Sequence, residues 1–255
     1  MSVHARTLVV SGVRRVASPA GAALFATFVL TLAAFNAAMN TVLTTAAGTP
    51  IPTGGAVAEY GVSLPVPPAL ATLLALFALL VGAFAIVAGT RAFLGHSVSR
   101  WSDPVECLTH RVVPATVSVL VGSVVVVAAV TVGTAFLVVP GVVLAGHLLL
   151  VPSVLSAEDV GVLAALQESW QRTAGSRVEL AAAALAVVVP AAVVVVGASL
   201  SYLLPATVEF GLGVLVGAAV LSTWLGVATE AYQRLGTQSS PAAHSSRSGR
   251  ASRAL

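Results

Sequence analysis

From Val112 to Leu155 the chain carries no charged side chain. At about 1.5 Å of rise per helical residue, that tract is much longer than one crossing of a roughly 30 Å hydrocarbon layer. It must therefore fold back on itself. Hydrophobic residues make up 58% of the chain and charged residues 8%, with a mean hydropathy of +1.01, whereas soluble domains are about 25% charged. That balance excludes an ordinary soluble core. In hydrocarbon every backbone polar group needs an internal partner, which an isolated apolar segment finds only as a helix. The expected class is an all-α integral membrane protein.

Six transmembrane helices are expected, over residues 20–44, 69–94, 112–137, 140–156, 178–204 and 210–231, within a membrane domain of 20–235. The long tract is divided at Val139-Pro140-Gly141, because proline interrupts the helix ladder and glycine tolerates a turn. Pro190, in the middle of the fifth span, predicts a kink. The first apolar run exceeds the roughly 7–15 residues of a cleavable leader's core, so the first span is expected to be retained.

All twelve basic residues are Arg, and they fall in four segments of this map. Arg6, Arg14 and Arg15 precede span one. Arg91, Arg100 and Arg111 lie between spans two and three, Arg172 and Arg177 between four and five, and Arg234, Arg247, Arg250 and Arg253 after span six. Only Glu59 and Glu209 charge the opposite side. The positive-inside rule then places both termini in the cytoplasm, with the cell membrane as the expected location.

The cytoplasmic pieces carry helix signals of their own. In the amphipathic leader, residues 1–19, Val9, Val13 and Val16 share a face, Arg14 and Arg15 point elsewhere, and Ser18-Pro19 ends the pattern. Ser102-Asp103-Pro104 starts a second short helix with Val105, Leu108 and Val112 on one side. A third has Ser156 and Asp159 at capping-box spacing, Leu163, Leu166 and Trp170 on one face, and Gly175 as its stop. Glu158 and Asp159 sit near its positive end and Arg172 near its negative end. All three are expected to lie in the membrane interface, the third with Trp170 at headgroup depth.

The string Pro152, Glu158-Asp159, Gly161, Ala164-Ala165-Leu166, Ser169-Trp170, Thr173, Gly175 and Arg177, following Pro140-Gly141, resembles one group of membrane domains. It is similar to the membrane domain found beside glycerophosphoryl diester phosphodiesterases and to related six-span proteins of bacteria and salt-loving archaea. The resemblance is specific over residues 138–180. It implies a non-catalytic membrane part, since hydrolysis in that family belongs to a separate soluble barrel. Arg172 stands where the family usually has an apolar residue, and Ala174 where it has a basic one.

Chemistry has few footholds. No carboxylate lies at a span centre, which argues against a proton or sodium relay. His4, His96, His110, His147 and His244 are dispersed without ligand spacing, so no metal or cofactor site is expected. The single Cys107 forms no internal disulfide. Asn36 and His147 each fall about 10 Å below the outer boundary at helical rise and form a candidate intramembrane polar pair. A structural hydrogen bond is the plainer reading, a ligand or proton site the sharper one. Gly82, Gly89, Gly213 and Gly217 permit close helix packing, including self-association.

The tail 236–255, rich in Ser, Ala and Arg, is expected to be disordered and weakly attracted to anionic lipid. It lacks the aromatic interleaving of a nucleic-acid binder. The leading expectation is a non-catalytic scaffold or accessory membrane component whose partners are the bilayer and another membrane or cytoplasmic protein. Its docking helix would carry Glu158, Asp159, Ser169, Trp170, Gly175 and Arg177. The alternative is a transporter or channel for a small neutral or lipid-like molecule.

Overall fold

The computed structural model describes residues 5–46, 62–95, 111–136, 138–158, 160–199 and 205–238. They form α1 (Ala5–Val16), α2 (Pro19–Ala46), α3 (Pro68–Leu94), α4 (Val112–Phe136), α5 (Val138–Leu148), α6 (Val151–Glu158), α7 (Val162–Thr173), α8 (Arg177–Ser199) and α9 (Ala206–Gln238). No strand occurs among the described residues. Four helices, α2, α3, α4 and α9, are each long and apolar enough to cross a membrane. The fold is that of an all-helical multi-pass membrane protein. The helix expected from Ser102, together with Cys107, Asp159, Glu59 and most of the tail, lies outside the described residues.

Side-chain size is inverted relative to a water-soluble bundle. From Pro68 to Ala85 of α3 the buried positions are all alanine, Ala71, Ala75, Ala78, Ala83 and Ala85, whereas Leu73 and Phe77 are each 64% exposed and Leu76, Leu80 and Phe84 also face outward. In lipid no hydrophobic force drives large side chains inward, and small residues let helix backbones approach closely. Gly89 follows the same logic, since a Cβ there would stand 2.9 Å from Leu24 and 3.0 Å from Leu225. Gly89 and Gly217, which lies against Leu32, thus pack within one chain. α2 and α3 pair along their lengths over Leu24, Phe28, Ala85 and Phe93. At the far end Asn40 Nδ2 donates to the Val62 carbonyl and the Leu64 N–H donates to Thr41 Oγ1 at 2.8 Å, pinning the segment before α3.

Several expected boundaries shift. α4 ends at Phe136 and α5 begins at Val138, so Pro140 sits in the first turn of α5, where its missing N–H would be unpaired anyway. A Cβ on Gly133 would stand 3.2 Å from Gly141 Cα, so these glycines set the close α4–α5 crossing. The single span expected at 140–156 is instead two helices broken at Leu149-Leu150. The cause is Pro152, which has no N–H for the Leu148 carbonyl and whose ring crowds that carbonyl. Leu149 and Leu150 are fully buried. α8 runs through Pro190 as one helix. α9 continues to Gln238, past the expected end at residue 231 and into the expected tail.

Of the face expected on the leader helix, Val9 packs against the core and Val16 is half-buried, but the buried line centres on Leu8 and Gly12. Leu8 and Gly12 are buried while Val10 and Val13 are about half exposed, and Arg15 turns inward. α1 packs across α9, with contacts to α8 and α2, rather than lying alone on a surface. Gly21 permits the α1–α2 corner, because a Cβ there would meet the Val16 and Arg15 carbonyls at 2.4 and 2.5 Å. Ser18 closes the corner, donating to the Arg15 carbonyl and accepting from the Gly21 N–H as the N-cap of α2.

Candidate functional site: a polar belt at one end of the bundle

The ends of α3, α6, α7 and α9 and the face of α1 bring most of the described charges together. α7 departs from its expected cap: Gly161 precedes it without a side-chain bond, and Ser156 lies inside α6, donating to the Pro152 carbonyl. Its buried stripe is Ala165, Ser169 and Thr173, while Leu163 is 77% and Trp170 44% exposed. The helix therefore docks through small and hydroxyl residues on α5 and α6 and turns Leu163 and Trp170 outward. Gly175 is exposed beyond its end, and Arg177 begins α8.

His147 is 2% exposed. Its ring stacks on Trp170 with centroids 4.0 Å apart and an 18° interplanar angle. Nδ1 lies 2.8 Å from Thr173 Oγ1. The Thr173 hydroxyl also lies 2.8 Å from the Ser169 carbonyl one turn back, so it bridges the ring and the α7 backbone. Ser169 Oγ in turn donates to the His147 carbonyl, close to the break between α5 and α6. The cluster thereby ties α7 to the end of α5.

Asn36 is placed elsewhere. It is exposed and its amide donates to the Leu32 carbonyl one turn back on its own helix. The expected meeting of Asn36 with His147 does not occur. Equal depth left their rotation about each helix axis open, and α7 is the element that covers His147.

A second group joins three helices. Glu158 ends α6 and accepts from Tyr232 Oη at 2.6 Å and from Arg172 at 2.8 Å. Arg172 also pairs with Glu168 four residues back and lies 5.0 Å over the Tyr232 ring. Burial pulls the Arg172 pKa down, but the Tyr232 hydroxyl and the Glu158 carboxylate more than offset this and hold it above the ordinary arginine value. Glu158 sits at the unfavourable negative end of α6, and the guanidinium compensates. Tyr232→Phe removes one of two bonds to Glu158. The expected loss is about 1.5 kcal/mol, read as a lower unfolding temperature in detergent; an unchanged temperature would show that the hydroxyl bond contributes nothing.

The third group was not anticipated from the sequence. Arg15 donates through Nε and Nη2 to Glu230 at 3.2 and 2.5 Å, through Nη2 to Gln233 and through Nη1 to the Phe93 carbonyl. Arg234 takes the other Glu230 oxygen at 2.8 Å and reaches Thr7 and Ser11 on α1. Nearby, the buried Arg91 donates to the Ser156 carbonyl, tying α3 to α6. One signal was available: Glu230 and Arg234, four residues apart at the end of the last apolar run, are a helix pair waiting for a neighbour.

These arrangements hold helices together, and among the described residues no group of His, Cys, Asp and Glu is placed to hold a metal ion. No family model, curated protein or solved structure matches the chain.

Proposed function

We propose that the chain is a non-catalytic, six-span scaffold or accessory component of the cell membrane, with both termini cytoplasmic. In this reading α5 and α6 form one broken crossing and α8 another, adding to the four long helices. The observation that carries it is the polar belt. His147, Ser169, Thr173, Glu158, Arg172 and Arg15 bond to one another or to backbone and lock helices, while α7 presents Leu163 and Trp170 outward. The clustering of Arg14, Arg15, Arg91, Arg172 and Arg234 at that end supports a cytoplasmic belt. The resemblance of residues 138–180 to a non-catalytic membrane domain points the same way.

The test is purification from native membrane in mild detergent, comparing wild type with Leu163→Ser. A protein partner held stoichiometrically by wild type, and at least about tenfold weaker in the variant at equal thermal stability, is expected from a lost interface anchor. Wild type eluting without a protein partner but with a retained apolar molecule would sink the reading. That result would favour the carriage of a lipid-like molecule, for which a cavity of about 210 Å³ between α2, α3 and α4, walled by Phe28, Phe35, Gly82 and Leu120, is the supporting observation.

A further inference from the structure

The α1–α2 corner, the end of α3 and α9 border an open cavity of about 460 Å³ with a mixed polar and apolar lining. It is lined by Ser11, Arg14 and Arg15 from α1, Ala92 and Phe93 from α3, and Glu230 from α9. Glu230 adds little negative potential, since Arg15 and Arg234 occupy both of its oxygens. Two guanidinium groups, Arg14 and Arg15, line the cavity against the one Glu230 carboxylate, which leaves it one excess positive charge. Arg14 is exposed, and none of its donors finds a partner among the described residues. Ser11 Oγ accepts from Arg234, which leaves its hydroxyl proton to donate.

We propose that this cavity seats the phosphate of an anionic membrane phospholipid, with Arg14 as the principal contact. A guanidinium presents paired donors that match phosphate oxygens, and basic pockets among helix ends on the cytoplasmic side are where headgroups are met. The amphipathic wall selects a lipid over a free anion: the phosphate meets Arg14 and Ser11 while the glycerol and first methylenes meet Ala92 and Phe93. The inference rests on the multi-pass membrane fold and the belt's position at headgroup depth, and stands whether or not α7 docks a protein.

The experiment is native mass spectrometry of the full chain in detergent, titrated with phosphatidylglycerol, phosphatidylcholine or inorganic phosphate. Wild type is expected to take up one phosphatidylglycerol about tenfold more tightly than phosphatidylcholine, and Arg14→Gln to lose that preference. Because Arg14 makes no internal bond, its unfolding temperature should not move. Arg6→Gln, an exposed arginine on the same helix outside the cavity, should bind as wild type does. Equal losses in the two variants would show diffuse charge attraction and overturn the site, as would unchanged preference in Arg14→Gln. Inorganic phosphate binding as tightly as the lipid would overturn the lipid as occupant.

Discussion

Gly12→Val is expected to lift the first helix off the bundle. A Cβ at Gly12 would lie 2.8 Å from Val227 Cγ2, 2.9 Å from the Val227 nitrogen and 3.2 Å from the Gly226 carbonyl carbon. Backbone atoms of a long helix cannot rotate aside as a side chain can. Relief from the other partner is blocked too, because a Cβ at Gly226 would stand 2.7 Å from the Gly12 oxygen. α1 must therefore move as a body, exposing Leu8 and pulling Arg15 from Glu230, Gln233 and Phe93. Overpacking of this kind costs about 3 kcal/mol. The readout is trypsin cleavage after Arg14 in the folded, detergent-solubilised protein, which should be many times faster in the variant. Val10→Ala, on the exposed side of α1, should cleave as wild type does. Wild-type protection in Gly12→Val would show that α1 does not cross α9 at these glycines.

Arg15→Met is the second large effect and separates charge pairing from packing. Glu230 is 12% exposed at its side chain and would keep only Arg234. Removing one member of such a pair leaves a poorly compensated charge and costs about 3 kcal/mol. Arg15→Met with Glu230→Gln removes both charges, and the double variant should regain at least half of that loss in thermal unfolding. Costs that simply add would mean that Arg15 acts through its Phe93 and Gln233 contacts and not through the ion pair. The Tyr232→Phe loss should be smaller than either, because Arg172 still serves Glu158.

The helices legible in the sequence are those defined by their own length and punctuation. α2, expected over 20–44, runs Pro19–Ala46; α3, expected over 69–94, runs Pro68–Leu94 and stops at Gly95, whose φ is +53°. Both begin at a proline in the first turn, a local signal. Pro152 was an equally local signal and was read only as part of a motif, so the break at Leu149-Leu150 was placed inside a continuous span. The α7 helix was expected, but its faces were assigned as though lipid alone lay beneath it. Since α5 and α6 lie there, Ser169 and Thr173 face inward toward the His147 backbone and ring. For α1, the expected stripe of Val9, Val13 and Val16 lies beside the buried line of Leu8 and Gly12, because a close helix crossing selects Gly12 over a large apolar residue.

Class and spacing were legible along the chain: uncharged runs too long for a soluble core, punctuated by proline and glycine, with arginines collected in four segments. These are one-dimensional properties, set by hydrocarbon thickness and helical rise. The tertiary structure alone decided the partners. Arg15 and Glu230 lie 215 positions apart and Asn36 and His147 share only a depth. Whether such residues meet depends on the rotation of each helix about its axis and on which neighbour stands beside it, and neither is written in the periodicity of any one segment.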